Sequence, residues 1–153
     1  MAVIYSAFPA LILSIALGAA LIIALFGERV RYLNEGVTIA AAILKFLLVT
    51  LLYTSVVGGA VWLWTPVTLL PGVPFSLKID LFGIYFALLS SFLWLVTSVY
   101  SIGYMRSLNE HAQTRYYVCF AICVAATVGI AFSGNLLTFF IFYEILTLSL
   151  IHI

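Results

Sequence analysis

Glu144 is the residue best suited to chemistry, because it is a lone carboxylate within a long apolar stretch. From Tyr116 to Ile153 the sequence has no other Asp, Glu, Lys or Arg. Insertion scales put a charge at the centre of a membrane helix at about 2.5 kcal/mol or more, and such residues usually face a bundle interior or a wet cavity. Burial and a basic neighbour shift a carboxyl pKa in opposite directions, so a group balanced between them can exchange protons near neutral pH. Glu144 is therefore a candidate proton relay or ion-pair residue. The alternative is a neutral Glu that only hydrogen-bonds to a neighbouring helix.

Lys45 is the second candidate, and its position in a span allows two interpretations. If the second span starts at Val37, Lys45 lies in mid-membrane and could pair with a carboxylate. If the span runs from about Lys45 to Trp64, Trp62 and Trp64 form the outer aromatic belt and Lys45 extends to the cytoplasmic surface. The second interpretation fits the tryptophans and the charge distribution, and we favour it.

The other reactive side chains predict little chemistry. Lys78 and Asp80 flank the third span and are expected at the interface, where Asp80 could cap a helix. His111 falls in a polar loop. Cys119 and Cys123, the only cysteines, lie one helical turn apart in an apolar run and are expected to be inert. No metal, haem, flavin or phosphate-binding motif is present, so we predict no cofactor and no metal site.

These residues must be positioned by membrane helices. The chain is 66% hydrophobic and 7% charged, which a soluble domain of 153 residues could not accommodate. Its charge of +1 gives no indication of nucleic acid binding. We predict an all-α, polytopic membrane bundle of about five helices in a single domain. The expected spans are residues 3–26, 40–64, 81–102, 116–132 and 136–153.

Two features organise these spans. A single helix from Tyr116 to the end would measure about 57 Å, nearly twice the hydrocarbon thickness, so the chain must turn at Ser133-Gly134-Asn135. Most of the basic residues fall in the first and third loops, which places the N-terminus outside. These loop residues are Arg29, Arg31, Arg106 and Arg115.

The fourth span carries a ridge of small residues that would let another helix approach closely. The ridge consists of Ala121, Ala125, Gly129 and Ser133.

Several segments resemble one family. They are Asp80-Leu-Phe-Gly, Ser98-Val-Tyr-Ser-Ile-Gly-Tyr-Met105, Arg115-Tyr-Tyr and Gly134-Asn-Leu-Leu-Thr-Phe-Phe-Ile-Phe-Tyr-Glu-Ile-Leu-Thr147. Together they are similar to the antiporter-like membrane subunits of NADH:quinone oxidoreductase, of multisubunit cation/proton antiporters and of membrane-bound hydrogenases. The resemblance covers most of residues 75–147. It implies that Glu144 pairs with a lysine of a seventh helix to modulate a proton channel, whose further essential helices lie outside this chain.

The resemblance implies a function in ion transport. We expect part of a proton-translocating subunit, or one exchanging sodium ions for protons, within a larger complex in the cell inner (plasma) membrane. Its partners would be other membrane subunits, the lipid bilayer and the transported ions. Without redox ligands the chain would not be a redox enzyme by itself.

Two alternatives belong to other classes. The chain could be a structural anchor or assembly subunit without its own ion transport, in which Glu144 only packs. A small dimeric multidrug exporter is disfavoured, because such exporters carry a carboxylate in the first helix and this first span has none.

The last six residues, 148–153, match the peptide encoded by a common sequencing-library adaptor read in frame. We therefore predict that this segment is partly or wholly an artefact on a truncated gene. On that interpretation His152 has no functional role.

Overall fold

The computed structural model describes residues 2–27, 33–108 and 113–152. The predicted loop residues Arg29, Arg31 and His111 lie outside these ranges. Within them the chain is a helical bundle with a small sheet at one end, in the order β1 Ala2–Tyr5, α1 Phe8–Phe26, α2 Leu33–Val57, β2 Ala60–Trp64, β3 Thr68–Leu70, β4 Val73–Pro74, β5 Leu77–Ile79, α3 Leu81–Leu108, α4 Gln113–Ala131 and α5 Leu136–His152.

The helices confirm a polytopic membrane architecture. Four described helices, α1 to α4, are long and apolar enough to cross a bilayer. The fifth, α5, is apolar and has 17 residues, which corresponds to about 25 Å, close to the minimum for a span. The predicted bundle of about five helices therefore matches the structure.

Helix α2 differs from the expected span at 40–64. It begins at Leu33 and ends at Val57, because Asn34 and Glu35 are held inside the bundle by contacts to other helices. Gly59 then adopts a φ of 92°, which a residue with a side chain rarely adopts, and the chain turns into β2. Trp62 and Trp64 are consequently strand residues.

The sheet caps one end of the bundle. Strand β1 pairs in parallel with β2, and β2 pairs antiparallel with β5, while β3 and β4 form a separate hairpin. The first span was expected to begin at residue 3, but apolar residues 2–5 are used for strand pairing. The start of α1, the loop before α3 and the turn before α5 therefore share one side, as the predicted alternation of spans requires.

Two apolar clusters fill the interior. The one beneath the sheet is built from large aliphatic and aromatic side chains of all five helices and β5, among them Ile12, Leu52, Ile79 and Phe132. The other surrounds Trp94 of α3 with small residues of α1, α2 and α4. These are Ala16, Ala19, Ala20, Ala41, Ala42, Ala121, Val124 and Ala125.

Candidate functional site

The turn before α5 is fixed by the sheet side of the molecule. Asn135 caps α5, because its Oδ1 accepts a hydrogen bond from the Thr138 amide at 2.8 Å. Its Nδ2 donates to the Pro74 carbonyl at 2.5 Å, and the Thr138 hydroxyl accepts from the Ser76 amide at 3.1 Å. A Cβ at Gly134 would overlap the Ser76 side chain, so any larger residue there would have to displace Ser76. The Gly-Asn turn thereby sets where α5 begins and how it is rotated.

One face of α5 packs against α4. Phe142 covers Gly129, where an added Cβ would overlap the aromatic ring, and the Ser149 hydroxyl donates to the Cys119 carbonyl at 2.5 Å. Thr138, Phe142 and Ser149 are the buried residues of the helix. The small-residue ridge of α4 thus has a packing role: Gly129 receives α5, and Ala121 and Ala125 receive α1 and Trp94.

Glu144 lies on the opposite face of α5. It follows Phe142 by two residues, a rotation of about 200° around a helix of 3.6 residues per turn. Its side chain is exposed, and within the described ranges its carboxylate makes no hydrogen bond or ion pair. Glu144 is the ninth of the 17 residues of α5, so it sits at mid-helix on a surface that this chain does not cover.

Lys45 lies at the midpoint of the 25 residues of α2 and is fully buried. The orientation towards the cytoplasmic surface that we favoured from the sequence is therefore wrong, since the helix starts earlier than expected. The Lys45 ammonium nitrogen, Nζ, lies 5.2 Å from the centre of the Trp94 ring, a cation–π geometry worth about 0.5–2 kcal/mol when the amine is charged. Nζ has no hydrogen-bond partner among the residues that the structure describes.

The two predicted site residues are not brought together. Helix α5 packs mainly on α4, whereas Lys45 faces Trp94 of α3 inside the α1–α4 bundle. Lys45 is therefore not the charge partner of Glu144 in this chain. Which role either residue has in transport stays a prediction.

Sequence reasoning missed an ion pair at the end of the bundle away from the sheet. The Arg106 guanidinium donates from Nε to Glu35 Oε1 at 2.9 Å and from a terminal nitrogen to Oε2. Beside this pair, the Asn34 side chain donates to the Thr114 hydroxyl at 3.1 Å. The sequence pattern indicates a loop at Asn34 and Glu35, and no local signal identifies partners 71 and 80 residues away.

The Lys78 and Asp80 side chains form an ion pair of 3.1 Å at the sheet end. Asp80 Oδ1 also accepts from the Gly83 amide at 2.9 Å, which confirms that it caps α3. Partial burial acts to raise the pKa of Asp80, but the bonds from Gly83 and Lys78 outweigh it and hold that pKa below its ordinary value. The role of this carboxylate is to stabilise the start of a span.

Cys119, Cys123 and His152 form no site with other residues that the structure describes. Cys119 is buried and Cys123 half-buried, both as free thiols, and the His152 ring lies 2.7 Å from the Leu148 carbonyl of its own helix. Within residues 2–27, 33–108 and 113–152, no group of three or more His, Cys, Asp or Glu side chains could hold a metal ion.

Comparison with known proteins gives a consistent result. No protein-family model matches the chain. A Na⁺/H⁺ antiporter subunit A1 from Staphylococcus aureus (strain bovine RF122 / ET3-1) is 30% identical over 106 residues, which is 67% of this chain. The fold matches a chain of the membrane-bound sulfane sulfur reductase, an archaeal respiratory membrane complex, with a TM-score of 0.77 at 17% identity over 94% of this chain. These matches support a relationship to the antiporter-like membrane subunits of multisubunit complexes.

The chain is short beside these two proteins. It spans 12% of the length of the S. aureus antiporter subunit and 29% of the matched chain of the sulfur reductase complex.

Proposed function

We propose that this antiporter-like subunit contributes to proton translocation, or to sodium/proton exchange coupled to it, within a multisubunit complex of the plasma membrane. Glu144 is its intramembrane ion-pair and proton-relay residue. The observation that carries the proposal is the position of Glu144 at mid-helix of α5, on the face turned away from α4 and without a partner in the described part of the chain.

The charged form of a carboxylate at that position needs a polar or basic neighbour from outside α1 to α5. Facing lipid, its charged form would cost about 2.5 kcal/mol or more, so it is stable there only as a neutral acid or beside a polar or basic group. The resemblance to the antiporter-like family suggests a lysine of a later helix. Such a pair would exchange protons when a conformational change alters its separation, because each charge stabilises the other.

The arrangement of α5 suits this role. Its start is anchored by Asn135 and Gly134 and its other face by Phe142, so Glu144 is presented on a rigid element. Precise presentation matters for proton transfer, which requires donor and acceptor within hydrogen-bond reach or one water apart.

Replacing Glu144 by Gln in the assembled multisubunit complex tests the proposal. Proton uptake would be followed with a pH-sensitive dye in inverted membrane vesicles, with and without a sodium gradient. We expect Glu144→Gln to abolish most of the transport while the complex assembles normally. Tyr143→Phe, which removes only a hydroxyl from the adjacent exposed residue, is the matched control and should retain transport.

The two other outcomes point elsewhere. If Glu144→Gln transports as well as the parent, the relay role fails and a structural anchor becomes the better function. If Glu144→Gln prevents assembly, Glu144→Asp distinguishes the roles. A relay should recover part of the transport with Asp, whereas a packing residue that requires the length of Glu should not.

A further inference from the structure

Lys45 is unusual because a long, charged side chain is fully enclosed among small apolar residues. Ala41 and Ala42 precede it on α2, and Trp94 closes the site from α3. Buried polar groups are nearly always hydrogen-bonded, and one without a protein partner usually contacts water or an ion. Lys45 Nζ has no hydrogen-bond partner from the protein within the described ranges. We therefore expect a water molecule or an ion beside it.

Two contacts set the register of the antiparallel helices α2 and α3. Glu35 lies opposite Arg106, and Lys45 lies opposite Trp94. Between these two levels, about 15 Å apart along α2, the buried side chains of both helices are small or hydroxylic. They are Thr38, Ala41 and Ala42 on α2 and Ser98 and Ser101 on α3.

Helix α4 adds polar groups along the same interval. The Ser101 and Tyr116 hydroxyls are 2.9 Å apart, and the buried Tyr117 hydroxyl has no hydrogen-bond partner in the described part of the chain. The same holds for the Asn34 Oδ1 and Trp94 Nε1 atoms. These atoms extend from the Glu35–Arg106 level to the Lys45 level, where water molecules could join them.

The path from Lys45 towards the sheet is closed by apolar side chains. Beyond Lys45 the same face of α2 continues with Val49, Leu52 and Val56, which belong to the apolar cluster beneath the sheet. A proton at Lys45 would therefore communicate with one end of the bundle only.

We propose that Lys45 is a second protonation site, reached from the Glu35–Arg106 end of the bundle through a hydrated file of polar side chains between α2, α3 and α4. A proton arriving through this file bonds to the lone pair of the Nζ amine, and the ammonium returns it by the same route. The Trp94 ring face holds the ammonium form in place. This site is separate from Glu144 and does not depend on the role proposed for that residue.

The titratable and charged side chains along the file come from three helices. They are Glu35 of α2, Arg106 of α3, and Tyr116 and Tyr117 of α4. Helix α1, which also packs here, contributes none, because Phe8–Phe26 contains no ionisable side chain. Lys45 is therefore the only amine among the groups facing the file within the described residues.

The sequence offers a clean experiment, because Lys45 and Lys78 are its only lysines. With 15N at the lysine Nζ atoms and the chain in lipid bilayers, solid-state NMR gives two ammonium signals, and Lys78→Arg assigns them. Magnetisation transfer from water then measures hydration, with the exposed Lys78 as internal reference. We expect transfer to both signals.

Variants that block the proposed hydrated file show from which end of the bundle water reaches Lys45. Ala42→Leu should abolish transfer to Lys45 and leave Lys78 unchanged, whereas Ala40→Leu on the exposed side of α2 should change neither. Val49→Phe, on the sheet side, should also preserve transfer to Lys45. Should Ala42→Leu fail to fold, Thr38→Val removes only a hydroxyl and should still weaken the transfer.

Two results would overturn the proposal. Absence of water transfer to Lys45 in the parent chain would show a dry, structural lysine. Loss of transfer in Val49→Phe but not in Ala42→Leu would show that water reaches Lys45 from the sheet end instead.

Discussion

The guanidinium of Arg106 donates hydrogen bonds to both carboxylate oxygens of Glu35, joining α2 to the end of α3 across 71 residues of sequence. The Glu35 side chain is 11% exposed and that of Arg106 56% exposed. The pair is therefore partly shielded from solvent, and its geometry is the two-bond arrangement in which arginine recognises a carboxylate most strongly.

Replacing Glu35 by Gln should destabilise the bundle. The substitution keeps the size of the side chain but replaces a charge-assisted pair by weaker bonds, and we expect the free energy of unfolding to fall by about 1–3 kcal/mol. Denaturant titration in mixed micelles would measure it. A cycle with Arg106→Gln isolates the pair: if the two single losses simply add in the double variant, the two side chains are not coupled.

Gly129 should tolerate no side chain while Phe142 remains in place. We expect Gly129→Ala to lower the free energy of unfolding by about 1–3 kcal/mol, because the added methyl group overpacks the α4–α5 contact. Gly18→Ala is the matched control, since a Cβ there meets no atom within 4 Å, and alanine favours a helix.

A second change tests the origin of the Gly129 effect. Phe142→Leu in the Gly129→Ala background should recover part of the loss, because the smaller side chain makes room for the methyl group. Equal melting temperatures for Gly129→Ala and Gly18→Ala would contradict this packing.

Asn135 is expected to act through two separate bonds. Asn135→Ala removes both the cap of α5 and the donor to Pro74, and should lower the free energy of unfolding by about 1–2 kcal/mol. Asn135→Asp retains an acceptor for the Thr138 amide but not the donor, so its loss should be smaller. Thermal unfolding of the three proteins in the same bicelles would rank them, and an equal loss in both variants would mean that the cap contributes nothing.

Asp80 should confer a pH dependence on stability at the sheet end. Its pKa is lower in the folded state than the unfolded value of about 3.9. Its contribution is therefore complete above that value and is lost as the pH falls through the folded-state pKa.

Comparison with Asp80→Asn isolates the pH-dependent contribution of Asp80 to stability, because Asn also caps helices but does not titrate. We expect the stability advantage of the parent chain over Asp80→Asn to shrink between about pH 5 and pH 2. An advantage that stays constant over this range would indicate that the carboxylate is not stabilised in the folded state.

The helices were predictable, whereas their boundaries depended on distant contacts. Apolar length alone located α1, α3 and α4, and the Gly134-Asn135 turn separated α4 from α5, because the bilayer imposes these lengths. The start of α2 was misjudged because Asn34 and Glu35 look like loop residues until Thr114 and Arg106 are placed beside them. Strand β1 was missed for a related reason, since apolar residues suit a span as well as a strand.

The candidate site, like the fold, was predictable from the sequence only in part. The depth of Glu144 followed from counting residues after the turn, whereas its orientation depends on which face Phe142 and Ser149 turn towards α4. The burial of Lys45 was one of two interpretations of the sequence and was not favoured, because the expected start of α2 lay too late in the chain and placed Lys45 near the surface. The Glu35–Arg106 pair could be identified only from the three-dimensional structure.

The pairing of β1 with β2 also bears on how the chain enters the membrane. Residues 2–5 can join residues 60–64 only when both lie on the same side, which means that α1 and α2 must both have crossed the membrane. If either helix failed to span, the two strands would lie on opposite faces of the bilayer, with unpaired backbone groups on each. Pairing of β1 with β2 would thus favour the state in which the first two helices both span, before the third has been made.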